Sequence, residues 1–239
     1  PRALHRLGRL IHAIGGVGRV RAGSQVPGWF WAIYDTTRDA GRSRFDAPAL
    51  GRLLEAGGQE PGLLIEVQIP AADHYPSPLD GMASFLREHE DAVRDRLSRW
   101  EPARARAGLL ELLGLHQVVL PSLVDLLARE ATSGTKVNRT LAMAQLARLG
   151  DASRAPLERL AKEGSAPTRR AAYQALDQLY GAAAAPFLAS LVEGERSAKN
   201  RDVLREICAR PAVEAPAPSL PPLAPVPEHV PLPEGYLAH

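Results

Sequence analysis

The sequence has one cysteine, few aromatic residues and no long apolar run, and each shortage excludes a class of protein. Cys208 is the only cysteine among 239 residues, which excludes an intrachain disulfide and a cysteine zinc cluster and favours a reducing compartment. No apolar stretch approaches the roughly 18 residues of a membrane-spanning helix. Lys and Arg (29) nearly balance Asp and Glu (27), so the net charge of +2 exerts no strong global attraction on nucleic acid or anionic lipid.

The remaining composition is typical of a globular, mainly helical protein. Apolar residues make up 45% and charged residues 23% of the chain, which is ordinary for a folded domain. Ala, Leu and Arg are frequent, and all three favour helix. The length of 239 residues suits one large or two small domains. Because the first residue is Pro1 rather than Met, we expect a fragment or a processed start.

Residues 1–76 form a predicted N-terminal region of helices and irregular segments. Residues 28–58 show helical spacing of apolar side chains, and two consecutive glycines end the second of their two helices. Residues 63–69 contain β-branched residues and fit either a short strand or a buried helical turn. Residues 70–78 carry three prolines and predict a loop.

A pattern of two helices recurs in residues 77–210, the predicted repeat domain. Ser133, Ser165 and Ser197 are spaced 32 residues apart. A fixed period of about 30 to 40 residues with two helices per copy is typical of an α-solenoid, in which stacked pairs share one core. We therefore predict four helix pairs, at residues 79–113, 119–149, 153–180 and 183–209. The competing interpretation is an ordinary helical bundle in which the serine, proline and glycine residues recur at this spacing by chance.

Residues 211–239 form a predicted proline-rich linker or tail. Nine prolines lie between residues 211 and 233. Such a segment cannot form a helix and is expected to be extended or disordered. Its two PxxP matches are also compatible with a ligand for a proline-binding domain, but a spacer is the favoured interpretation.

Two kinds of sequence stretch carry a resemblance to known proteins. Residues 155–165 (Ala-Pro-Leu-Glu-Arg-Leu-Ala-Lys-Glu-Gly-Ser) and 168–179 resemble the first helix, turn, basic residues and second helix of a HEAT-like repeat. The turns at 133–139 and 196–201, followed by 220–227, look like the middle of large bacterial proteins of the MolR type. The resemblance implies a mostly all-α fold, an α-solenoid of HEAT-like helix pairs with a mixed N-terminal region and a proline-rich C-terminal tail. It supplies no catalytic residues.

The sequence offers no complete catalytic, metal or cofactor motif. The glycine cluster at residues 15–18 has Arg21 where a dinucleotide fingerprint needs a small residue, and no Gly-Lys-Ser/Thr occurs. His89 and Glu90 begin like a zinc-protease motif, but Val93 stands where its second histidine would fall. We therefore predict a non-enzymatic protein without cofactor or metal, in which Cys208 is half-buried rather than a nucleophile.

One aromatic cluster stands out in the N-terminal region, at Trp29, Phe30, Trp31 and Tyr34. Aromatic residues at this spacing usually belong to a core. Because three adjacent rings cannot all face the same way on a helix, one of them is also a candidate partner anchor or base-stacking platform.

The most specific candidate site is a row of basic residues that follow the short turns. Its members are Lys136, Arg139, Arg169, Arg170, Lys199 and Arg201. If the copies superpose, these cations line one edge of the solenoid and can hold an acidic peptide or phosphates. The competing interpretation is a solvated face, or pairing with Asp151, Asp177 and Asp202.

The leading functional hypothesis is a scaffold that binds another protein, or another domain of its own polypeptide, along the repeat surface. The alternative is a nucleic-acid-binding module that resembles the DNA glycosylases built on HEAT-like repeats, with Trp100 and Glu101 as its aromatic and carboxylate pair. A continuous basic groove about one duplex wide favours DNA, whereas a mixed or apolar groove favours protein. We predict a cytoplasmic protein that makes no membrane contact.

Overall fold

The computed structural model describes residues 2–13, 25–36, 38–39, 42–69, 79–100 and 103–210. These residues are mostly helical, as the composition and periodicity predict. No helix within these ranges combines the length and apolarity needed to cross a membrane. The predicted loop at 70–78 and the predicted tail at 211–239 lie outside the described residues. The division into domains stays a prediction.

The N-terminal region folds around the aromatic cluster. Its elements are α1 (Arg2–Ala13), α2 (Gly28–Thr36), the short antiparallel strands β1 (Arg38–Asp39) and β2 (Arg42–Ser43), α3 (Ala47–Ala56) and α4 (Leu64–Val67). All four aromatic residues of α2 are buried, which confirms that they belong to the core. Trp29 packs edge-on against His5 of α1. At Gly57, which follows α3, a Cβ atom would approach the Trp29 indole within 2.4 Å. None of these rings is exposed for a partner or a base.

The ambiguous segment at residues 63–69 is a buried helical turn. A 3₁₀ turn at Pro61–Leu63 leads into α4, and Leu64, Ile65 and Val67 are buried. The Gln68 amide donates a 3.0 Å hydrogen bond to the Tyr34 hydroxyl. Because this turn is buried on more than one side, nearly all its residues are apolar, and such a run fits a strand as well as a helix.

The repeat region contains helices close to the predicted boundaries. They are α5 (Met82–Glu88), α6 (Glu90–Arg99), α7 (Ala103–Leu115), α8 (Val124–Ser133), α9 (Lys136–Leu149), α10 (Arg154–Glu163), α11 (Ala166–Tyr180), α12 (Ala185–Leu191) and α13 (Ala198–Ala209). Helices α8 and α9, α10 and α11, and α12 and α13 pack as pairs joined by turns. The first predicted pair differs, because its first helix is interrupted at His89.

Local signals set both ends of α9 and α11. The hydroxyls of Thr135, Ser165 and Ser197 cap α9, α11 and α13, each accepting a hydrogen bond from the backbone N–H three residues on. Thr135, not Ser133, is therefore the equivalent of the two capping serines. Gly150 and Gly181 follow α9 and α11 with φ of +57° and +49°, a left-handed conformation that glycine adopts without a steric penalty.

One apolar core extends through the described residues from α2 to α13. Nine leucines of the repeat region have the spacing expected of this core. Five of them are buried and belong to it: Leu123, Leu146, Leu157, Leu176 and Leu188. The other four are half-buried and pack against it: Leu126, Leu141, Leu160 and Leu179. Helix α9 packs on α7, and α13 packs on α11, but α11 packs mainly on α8 and α10 rather than on α9.

Candidate binding groove

An open groove lies between α9, α11 and α13. Its volume is about 1030 Å³, and almost all its lining comes from these three helices. Pockets for small ligands typically measure about 300–1000 Å³ and enclose most of the ligand. A groove of this size that opens to solvent instead suits a segment of a macromolecule.

Four cations occupy one end of the groove. Lys136 and Arg139 come from the first two turns of α9, Arg170 from α11 and Lys199 from α13. Each of the three helices is the second of its antiparallel pair, so their N-termini lie at this same end and add partial positive charge. No carboxylate lines the groove, and none of the four cations has an ion pair within the described part of the chain.

Small and apolar side chains form the rest of the groove. They include Ala144, Ala147, Ala171, Ala175, Met143 and Leu179. The amides of Gln174 and Gln178 lie among them and supply hydrogen-bonding groups. Alanine side chains let another backbone approach closely. The groove is therefore basic at one end and mixed, mostly apolar, along its length.

A buried asparagine ties α9 to α7 on one side of the groove. The Asn138 amide donates to the Ala103 carbonyl at 3.2 Å and to the Glu130 carboxylate at 3.0 Å. Glu130 also forms an ion pair with Arg106, with 2.9 Å between Nε and Oε1. Asn138 thus joins the N-terminal end of α9 to that of α7 in two ways: directly at the Ala103 carbonyl, and through the Glu130 carboxylate that Arg106 of α7 also binds. We call Arg106, Glu130 and Asn138 the first clamp.

An equivalent arrangement, the second clamp, ties α13 to α11. The Asn200 amide donates to the Ala166 carbonyl at 2.8 Å and to Glu195 at 3.4 Å. Arg169 binds Glu195 through two hydrogen bonds of 2.6 and 2.9 Å, and the Tyr173 hydroxyl donates a third at 2.6 Å. The second clamp consists of Arg169, Tyr173, Glu195 and Asn200. Both arginines and both asparagines hold matching positions in their helices.

The second clamp shifts the pKa of its members strongly. The bidentate Arg169 guanidinium holds the pKa of the Glu195 carboxyl far below its usual range, against the opposing effect of burial. Burial, followed by the hydrogen bond to Glu195, raises the pKa of Tyr173 to about 12. The cluster is therefore ionised at its carboxylate and protonated at its phenol throughout the neutral range, as expected of a fixed structural tie.

No clamp connects the N-terminal ends of α9 and α11 within the described residues, although the Tyr180 hydroxyl at the end of α11 donates to the Gly150 carbonyl at the end of α9 at 2.9 Å. Thr168 occupies the position of Asn138 and Asn200, and its hydroxyl lies 2.8 Å from its own capping residue, Ser165. Leu160 occupies the position of Glu130, since the turn glycine after each helix donates its N–H to the carbonyl of that residue. Without the asparagine and the carboxylate, the N-terminal ends of α9 and α11 are untied, and the groove opens between them.

The six basic residues predicted from the sequence have three different environments. Lys136, Arg139, Arg170 and Lys199 line the groove. Arg169 does not, because it is bound to Glu195. Arg201 is half-buried and is not part of the lining. The predicted row therefore contributes four members to one surface, whereas whether any of them binds a partner stays a prediction.

None of the three acidic residues considered as partners for this row pairs with it among the described residues. Asp177 binds Arg210 at 2.9 Å, and Asp202 lies 3.7 Å from Arg205. Asp151 has no ion pair among the described residues. The groove cations and these aspartates therefore do not form ion pairs with each other in the described part of the chain.

Other candidate residues lie away from the groove. Trp100 is half-buried beside Arg96, while Glu101 and the glycine cluster at 15–18 lie outside the described residues. Among the described residues, no three His, Cys, Asp or Glu side chains converge as a metal site would require. Cys208 is half-buried as predicted, and burial raises the pKa of its thiol.

Reasoning from the sequence missed the residues that shape the groove. Asn138, Asn200, Glu130 and Glu195 are polar residues whose roles depend on burial. One signal was present: Ala103 and Arg106 recur as Ala166 and Arg169 after 63 residues, which is two repeats rather than one. Comparison with protein-family models, with curated proteins and with solved structures finds no match for this chain.

Proposed function

We propose that this chain is a non-enzymatic interaction scaffold that binds another protein, or another domain of its own polypeptide, in the groove between α9, α11 and α13. The observation that carries the proposal is the composition of the groove: four cations at one end that have no ion pair among the described residues, and small, apolar and amide side chains along the rest. Cytoplasmic localisation stays part of the same proposal, based on the lone cysteine.

The architecture proposed for the scaffold is a HEAT-like α-solenoid. The common register of Thr135, Ser165 and Ser197 as helix caps supports equivalent helix pairs. The recurrence of the clamp after two repeats supports stacking of equivalent second helices. The resemblance to the repeat region of bacterial MolR-type proteins adds the expectation that a further domain of the same polypeptide is a candidate partner.

A mixed groove favours protein over nucleic acid. A nucleic-acid site needs a track of cations that follows the phosphate backbone over many contacts. Here the cations are confined to one end, and alanine, methionine and leucine continue the surface where further phosphates would lie. Apolar contacts flanked by charge are typical of protein interfaces. The nucleic-acid alternative therefore serves as one outcome of the test.

The test compares proteins captured by the full chain with those captured by a variant whose groove is blocked. Ala144→Trp fills the groove from α9, and Ala144 is exposed, so the fold has room for the indole. Ala189→Trp, at an exposed alanine of α12 outside the groove lining, is the matched control. We expect a partner that the original chain and Ala189→Trp both capture and that Ala144→Trp loses.

Purified components then decide the result. The captured protein, mixed with the purified chain, should bind with the same dependence on Ala144. If all captured proteins are retained by Ala144→Trp, the groove is not the interaction surface. If nuclease treatment abolishes capture and a duplex oligonucleotide competes with the captured protein for binding to the chain, the nucleic-acid alternative replaces the scaffold.

A further inference from the structure

The groove cations differ from many other cations of the repeat region in having no acidic partner among the described residues. Arg106, Arg154, Arg159, Arg169 and Arg210 each form an ion pair with Asp or Glu. Lys136, Arg139, Arg170 and Lys199 form none among the described residues and converge on one end of the groove. Like charges that line one end of a groove repel one another, and a carboxylate placed among them relieves that repulsion.

The walls of the groove favour a helical occupant over an extended one. An extended peptide leaves its backbone N–H and C=O groups to be satisfied by a sheet edge, by many polar side chains or by water. The walls here are helices, whose backbone groups are already bonded within the helix, and Thr140, Gln174 and Gln178 are the few neutral polar side chains of the lining. A helix satisfies its own backbone and needs only small residues below it, which the groove supplies.

The length and polarity of the groove restrict that helix further. The lining of α9 runs from Lys136 to Ala147, which at 1.5 Å per residue spans about 16 Å, or three helical turns. The N-termini of α9, α11 and α13 lie at the cationic end. The end of an occupant helix that is attracted there is its C-terminus, which carries the partial negative charge.

Resting on the proposed function, we infer that the groove binds an amphipathic helix of about three turns that runs antiparallel to α9 and α11. Its apolar face lies on the alanines of α9 and α11. Carboxylates in its last turn lie among Lys136, Arg139, Arg170 and Lys199. In a free peptide, acidic residues at a helix C-terminus are repelled by the negative end of the helix dipole. The groove cations offset this repulsion, so a segment with an acidic last turn gains more helical stability on binding than one without it.

The test selects binders for the full chain from a displayed library of randomised, helix-forming peptides of about three turns. We expect enrichment of Asp and Glu in the last turn and of apolar residues at helical spacing before it. Binding of an enriched peptide should weaken about tenfold in Lys136→Glu/Arg139→Glu, and steeply with salt. Arg6→Glu/Arg9→Glu, two exposed arginines of α1, is the matched control and should bind as the original chain does.

Each outcome separates this inference from the proposed function. Enriched peptides that need an open groove, as shown by Ala144→Trp, but carry no carboxylates, or carry them in the first turn, overturn the acidic antiparallel helix while leaving the scaffold. If no enriched peptide depends on Ala144, both fail. A duplex oligonucleotide that displaces every enriched peptide and shows a steeper salt dependence than they do assigns the cations to phosphate instead.

Discussion

The two clamped junctions and the open junction between them differ in the buried polar contacts at the N-terminal ends of their helices. Helices α7 and α9, and helices α11 and α13, are joined by an asparagine that binds both a carbonyl of the preceding second helix and a buried carboxylate. At the junction between α9 and α11, Thr168 stands in place of the asparagine and Leu160 in place of Glu130. The comparison shows that a buried asparagine with a carboxylate partner is present where neighbouring second helices pack on each other, and that the described residues have no such pair where α9 and α11 separate.

The same difference explains which arginine is available for binding. Arg106, Arg139 and Arg169 hold the same position in α7, α9 and α11. Arg106 and Arg169 are bound by Glu130 and Glu195, whereas Arg139 has no ion pair among the described residues, in which Leu160 takes the place of Glu130. The open junction thus has both the space and the free charge that a partner needs.

The largest effect is expected from breaking the second clamp at its carboxylate. Glu195→Ala leaves Arg169, Tyr173 and Asn200 without their shared acceptor in a site where the Glu195 side chain is only 1% exposed. Removing one partner of a buried pair costs about 3 kcal/mol or more. Urea denaturation should show this loss. Glu206→Ala, which removes a surface partner of Arg210, should cost less than about 1 kcal/mol, and equal losses would contradict the clamp.

The next largest loss of stability is expected at Asn138 in a clamped junction, and it is compared with the loss at Thr168, which holds the same helix position in the open junction. Asn138→Ala removes the amide that donates to the Ala103 carbonyl and to Glu130, and about 2 kcal/mol of stability should be lost. Thr168→Ala removes only a contact with its own cap, so less than about 1 kcal/mol should be lost. Both values come from denaturation curves of the full chain. A Thr168 loss as large as that at Asn138 would mean that the middle junction is tied as well.

Acid should release the second clamp selectively. The folded-state pKa of Glu195 is depressed, so its contribution is present above the unfolded pKa of about 4.3 and is lost as pH falls below it. Between about pH 4.5 and 3, the free-energy difference between the original chain and Glu195→Gln should shrink by about 1.5 kcal/mol. Denaturation series for both proteins measure this, and a constant difference over that range would oppose the assignment.

The smallest effect should come from building a clamp into the open junction. In Thr168→Asn, the new amide can reach for the Lys136 carbonyl, the equivalent of Ala103 and Ala166. Stability should change by less than about 1 kcal/mol, while the N-terminal ends of α9 and α11 move together. Spin labels at Val137→Cys and Pro167→Cys, in a Cys208→Ser background, should report a shorter distance. Thr168→Ser is the control, and an unchanged distance would separate the groove opening from residue 168.

Local chemistry is what the sequence by itself determined. A capping hydroxyl, an apolar stripe and a terminal glycine act within one or two helical turns, so the helix pairs and their boundaries could be predicted from spacing alone. The same marks placed four of the six predicted cations on one surface, because equivalent turns bring equivalent residues together.

Only the tertiary structure decided which of those cations are free and where the groove opens. Arg169 and Arg139 look alike in sequence, but Arg169 meets Glu195 across 26 residues and Arg139 meets no carboxylate in the described chain. Residues 63–69 likewise fit either a strand or a helical turn by sequence, and the structure has a buried helical turn there. In each case the deciding contact comes from a distant segment. Its strength depends on exclusion of water, which spacing along the chain does not reveal.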